Sequence, residues 1–265
     1  MVDISQGYSV KCFIHVARTG GNFLLSGLYP IVEKNPSFRI FGLLPGVTRA
    51  DLDGLFNNGP FTYIFHGHYT YGLHKLVQEI PVHYFTLIRD PVGRTISEFL
   101  WLIRLAKGAD LMLVRDLAHR WVDSLLCGNH QCRYLARPFD ERISESAHIS
   151  MFDGLEGPIE ADFEAAVKLL DAMSFVALSE RLDDDFMAIV SALGMQLPPS
   201  ARPSRRNYNM HGDVQAHLLE DAELMQKIVD KTLFDDRLYR HGETLREKHL
   251  LENYFGTLDS SSRPT

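Results

Sequence analysis

Apolar residues gather in four short runs, at 10–16, 61–65, 82–88 and 174–178, without clean alternation with polar positions. Runs of this length, rich in Val, Ile and Phe, suit strands covered on both faces, as in a parallel sheet. Between them the apolar period lengthens to that of a helix, over 22–33, 92–106, 111–127, 160–172, 181–193 and 215–232. In the first of these, Leu24, Leu25 and Leu28 make the stripe that faces a core. Strands alternating with helices predict an α/β fold, a central parallel β-sheet flanked by helices. Ligands then bind outside the carboxyl ends of the strands. Segments 138–159 and 195–213 read as loops, the second holding Pro198, Pro199, Pro203 and the cluster Arg202, Arg205 and Arg206. Residues 1–255 read as one domain, and the polar tail 256–265 as disordered.

Two strand ends carry candidate chemistry. The first run leads through Arg18-Thr19-Gly20-Gly21-Asn22-Phe23 into a helix. Backbone N–H groups at such a turn, with the helix dipole behind them, favour an anion. The G-x-x-x-x-G-K-[ST] spacing of ATP-type phosphate loops is missing. The run at 82–88 ends at Arg89-Asp90-Pro91, and a helix follows with Arg94, Ser97 and Glu98 in its first turns. Arg89 and Ser97 are placed there to converge on one phosphate, a second anion site.

Taken together, these segments resemble the sulfotransferases that use PAPS (3'-phosphoadenosine 5'-phosphosulfate), most of all the branch of the heparan sulfate 2-O/6-O-sulfotransferases and their bacterial relatives. In that family a P-K-T-G-G-T/S turn holds the 5'-phosphosulfate, and R-D-P-x-x-R-x-x-S-E holds the 3'-phosphate. Ala17 to Asn22 is similar to the first; Arg89, Asp90, Pro91, Arg94, Ser97 and Glu98 match the second at every fixed position. Asn129 to Leu135 is similar to the family's N-x-Q-x-R-x-L, Phe175 to Arg181 to its F-x-G-L-x-E-R, and Asp236 to Tyr239 to its D-x-x-L-Y. The resemblance implies a P-loop-like nucleotide-binding fold, PAPS as co-substrate and its 3',5'-bisphosphate, PAP, as product. It also implies a small-molecule or carbohydrate acceptor, with no metal.

On this resemblance Arg18, Thr19, Gly20, Gly21, Asn22 and Phe23 take the phosphosulfate, and Arg89 and Ser97 the 3'-phosphate. Arg18 stands where the family has Lys. It keeps positive charge beside the leaving phosphate, but replaces a mobile point charge with a planar fork that does not readily give up a proton. Asn22 replaces a hydroxyl residue and still offers an amide donor. Arg133 and the loop residues Arg205 and Arg206 are further candidates for the 3'-phosphate or an acidic acceptor.

The acceptor must lose a proton as it attacks, and histidine is the commonest general base. His66-Gly67-His68 follows the 61–65 run, at the end where the site should lie. The resemblance points to His68; His66 and Glu98 are the alternatives. A rival reading uses the same residues: His66 and His68, two apart on an extended chain, would bind a metal with His74 or His83 in a hydrolase. No carboxylate sits at ligand spacing in that segment, and the two anion segments would have no role. A third reading, suggested by Arg18 and Asn22, is a PAPS- or nucleotide-binding protein without catalysis.

Composition narrows the classes. A chain of 265 residues, 45% hydrophobic, fits one large domain. With 27 Lys+Arg against 34 Asp+Glu and a formal charge of −7, a general nucleic-acid binder is not expected. Cys12, Cys127 and Cys132 form no C-x-x-C and read as reduced, a Cys127–Cys132 bridge being the alternative in a secreted protein. The first apolar run is too short to span a bilayer, and the start MVDISQGYSV lacks the pattern of a signal peptide. A cytoplasmic protein without a membrane partner is the expectation.

Overall fold

The computed structural model describes residues 9–43, 48–68, 71–77, 80–103, 110–124, 128–137, 159–196 and 212–261, with side chains up to residue 252. Strands β1 (Ser9–Ile14), β2 (Phe38–Gly42), β3 (Thr62–Gly67), β4 (Val82–Ile88) and β5 (Phe175–Leu178) form one parallel sheet in the order β2-β3-β1-β4-β5. Four of the five coincide with the apolar runs. β2, FRIFG, lies at an edge and is only half-buried after Phe38, so it lacks the run that marks a strand covered on both faces.

Around the sheet lie α1 (Gly21–Glu33), α2 (Arg49–Phe56), α3 (Pro91–Leu102), α4 (Leu111–Asp123), α5 (His130–Ala136), α6 (Ile159–Asp171), α7 (Leu182–Ala192), α8 (Gly212–Leu219), α9 (Ala222–Lys231) and α10 (Leu233–Ser261). The single helix expected over 215–232 is two, because Asp221 stops one and caps the next, accepting from the Leu224 N–H at 3.1 Å. Charge and a central glycine hide α10, which continues past Gly256 into the stretch that composition reads as a tail. Gly242 is required there: a Cβ would overlap Ile88 of β4, so the helix backbone lies directly on the sheet.

Alternation along the strands divides the core. Val10, Cys12 and Ile14, with Tyr63, Phe65 and Ile88, pack against α2, α5, α6 and α10. Phe13, Ile64, Phe85 and Leu87 point the other way, to α1 and α7. A third apolar cluster joins α3, α4, α8 and α9. Cys12 and Cys132 are both buried, and Cys127 lies outside the described residues. No helix among the described residues is long and apolar enough to cross a membrane.

The strand order sets where a ligand can enter. The chain leaves β1 towards β2, returns through β3, and crosses β1 to reach β4. Connections from β1 and β4 therefore diverge, leaving a crevice at their carboxyl ends. His15 to Gly20 form one wall of it, and Arg89-Asp90 the other.

Candidate active site

The turn after β1 is held from inside. Thr19 is fully buried, and its hydroxyl donates to the Val16 carbonyl at 2.8 Å. Arg18 (φ 68°) and Gly20 (φ 90°) both adopt the left-handed conformation, which folds the chain back into the start of α1. Gly20 is the cap residue and supplies no side-chain acceptor; no acidic residue lies in the first turn. The leading N–H groups of α1 and its positive dipole end therefore face the crevice uncompensated by carboxylate. Asn22 is exposed on this first turn and Phe23 half-buried, so Asn22 offers its amide from within the helix and does not cap it.

The second strand end is built differently. Asp90 caps α3, its carboxylate accepting from the Gly93 N–H at 2.6 Å, so that helix start is already supplied with negative charge. An anion at this strand end would meet side chains. Arg89 donates from Nη1 to the Arg18 carbonyl at 3.1 Å, with Glu180 3.7 Å from its Nε. Gln131 clamps the Arg89 backbone from both sides, accepting from its N–H at 2.9 Å and donating to its carbonyl at 2.8 Å. Glu180 also accepts from the Asp90 N–H at 3.2 Å and the Tyr239 hydroxyl at 3.1 Å.

The two strand-end segments also meet side chain to side chain. The Arg18 guanidinium donates to the Ser97 hydroxyl, from Nη2 at 3.1 Å and Nε at 3.3 Å. One turn away, the buried Arg94 pairs with Glu98 at 2.5 Å and reaches the Ala17 carbonyl at 3.4 Å. Burial alone would raise the Glu98 carboxyl, but Arg94, with His130 and Arg18, holds it below the usual carboxylate range. Glu98 orders Arg94 and, through it, the first turn.

Three imidazoles gather at the ends of β1 and β3. His68 Nδ1 lies 2.8 Å from the His15 carbonyl. A carbonyl only accepts, so Nδ1 carries the hydrogen and, in the neutral ring, Nε2 keeps the lone pair. His66 is engaged otherwise, its Nε2 lying 2.8 Å from the Tyr29 hydroxyl of α1. Burial, then the neighbouring His68, pushes its pKa down. His15 stacks on His68 with ring centroids 4.4 Å apart. Burial first, then His68, His66 and Arg18, pushes its pKa down to about 3.

Other candidates lie apart. Arg133 pairs with Asp162 of α6 at 3.2 Å. Arg202, Arg205 and Arg206 lie outside the described residues. His83 begins β4 opposite Lys11, at the far end of the sheet from His66, and His74 contacts the Tyr84 hydroxyl at 3.0 Å. Among the described residues no three His, Cys, Asp or Glu side chains converge as a metal requires.

Gln131, Glu180 and Tyr239 stand in the motifs similar to N-x-Q-x-R-x-L, F-x-G-L-x-E-R and D-x-x-L-Y, and local sequence assigns them no role. Their fixed places in those motifs were the available signal. His15 looked like one more residue of an apolar strand.

No protein-family model and no curated protein matches the chain. Among solved structures it is similar to a sulfotransferase from Alicyclobacillus acidocaldarius, with 11% identity and a TM-score of 0.37 over 83% of this chain and 95% of that one. At that level of likeness, function has to rest on the site's own residues.

Proposed function

We propose that the chain is a sulfotransferase that moves the sulfuryl group of PAPS to a hydroxyl or amine of a small-molecule or carbohydrate acceptor. The Arg18–Ser97 contact carries this reading, because it joins two anion-binding segments into one hydrogen-bonded unit beside a pair of histidines. A donor with phosphate at both ends fits such a unit: phosphosulfate at the start of α1, 3'-phosphate between Arg89 and Ser97. The likeness to the heparan sulfate branch is proposed on these residues alone.

In the transfer, an acceptor oxygen attacks sulfur while its O–H bond breaks and the proton passes to Nε2 of His68. The new S–O bond forms as the bond between sulfur and the 5'-phosphate oxygen breaks, releasing PAP. Arg18 and the N–H groups of α1 take the charge that collects on the departing phosphate. The resemblance points to His68, and the Nε2 of His66 is engaged by the Tyr29 hydroxyl. Glu98, buried in its pair with Arg94, is a poor base.

Labelled PAPS offered with a panel of acceptors, read by mass shift, tests the reaction. Calorimetry tests the donor site: PAP is expected to bind at least about tenfold more tightly than AMP, the worth of one charge-assisted phosphate clamp at about 1.5–3 kcal/mol. Equal affinities would remove Arg89 and Ser97 from the nucleotide site.

A further inference from the structure

We propose that His15 is a positioning residue for His68, its ring fixing the plane of the His68 imidazole while its carbonyl fixes the tautomer. The inference rests on the sulfotransferase reading only for its catalytic consequence; the geometric claim stands on contacts within the chain.

Four rings form a column from core to crevice. Phe85 stacks on Phe13 at 5.2 Å, Phe13 on His15 at 5.4 Å, and His15 on His68 at 4.4 Å, with interplanar angles of 16–23°. The inner members are buried, so the ring against His68 is held by the core. On its other side His15 meets the start of α1 so closely that a Cβ on Gly21 would overlap the imidazole. That accounts for one glycine of the pair by packing alone. An imidazole can swing about its Nδ1 hydrogen bond, and a rigid face 4.4 Å away limits that freedom.

The pairing also divides the chemistry. With its pKa near 3, His15 does not compete for the acceptor's proton near neutral pH. Its neutral face can lie against the imidazolium that His68 becomes, where a second cation would oppose it. The titratable groups around the pair are His66 on β3, Arg18 in the turn after β1 and His130 on α5, all of which act on His15 or exchange charge effects with His68.

Side-chain nitrogen NMR of the full chain, with turnover measured alongside, tests the proposal on wild type, His15→Ala and His15→Phe. Wild-type His68 is expected as the Nδ1–H tautomer. His15→Ala keeps the backbone carbonyl but lets the His68 ring swing off it, and should give a mixture of tautomers and lower kcat by about tenfold or more with PAP affinity unchanged. His15→Phe, which restores a flat ring beside the same backbone carbonyl, should restore the tautomer and most of kcat. A mixed tautomer in wild type, or an His15→Ala protein with the wild-type tautomer and kcat, would overturn it. Should no acceptor be sulfated at all, the function falls, and the NMR arm still decides the geometry.

Discussion

Glu98 lies in a buried pair with Arg94, so accepting a proton would mean giving up its strongest contact. Glu98→Gln is therefore expected to act on stability, leaving a buried guanidinium without its counter-charge at a cost of about 3–5 kcal/mol. Denaturant unfolding would read that loss; a protein of wild-type stability would mean that Arg94 has another partner. His68 should behave in the opposite way. His68→Ala is expected to lower turnover by about 10²–10⁴-fold with PAP affinity nearly intact, since a base touches the acceptor and not the nucleotide. Arg18→Ala should lose both, because on the proposed reading its guanidinium meets the donor and also carries the contact to Ser97. Steady-state kinetics beside calorimetry separates the two patterns, and full turnover in the His68 variant would end its candidacy.

Two helices, the short α5 and the long α10, decide whether the crevice's second wall stands. Asp235, at the start of α10, accepts from the N–H groups of Gln131 and Cys132, while Asn129, before α5, accepts from those of Phe234 and Asp235. Each helix thus caps the other, and Gln131, so fixed, grips Arg89. Asp235→Ala would leave two buried N–H groups without acceptors, about 1–3 kcal/mol each. Its expected signature is lower stability together with weaker PAP binding; lower stability with unchanged binding would free Arg89 from this support. Such long-range pairs explain what could be read from the sequence. The strands announced themselves through Val, Ile and Phe, and the glycine turn and Arg-Asp-Pro through chemistry tied to local spacing. The edge strand β2 and the polar α10 gave no such sign, because packing against distant residues makes them. Ser97 was legible as a serine on a helix; that Arg18 would reach it was not.

Across the molecule, acid should weaken the fold early. His15 and His130 are both pushed down to about 3, chiefly by burial, from an ordinary value of 6.5. Between those values the unfolded chain binds protons that the folded chain refuses, so stability is full above about pH 6.5 and falls as pH drops towards 3. Glu98, held low, adds to the loss below its ordinary 4.5, while Asp235, raised by burial, works against it over part of that range. Thermal unfolding followed from pH 7.5 to 4.5 should show a steady decline, and a flat profile would mean that these imidazoles are hydrated. The reciprocal capping of α5 and α10 has a consequence in time as well. Gln131 and Asp235 are 104 positions apart. At about 5–20 residues per second, a ribosome needs roughly 5–20 s to travel between them. During that interval the nascent chain already carries the glycine turn and Arg89, but not the residue that steadies their support. The proposed nucleotide site is therefore among the last parts of the protein to be completed, although its principal residues are among the first to be made.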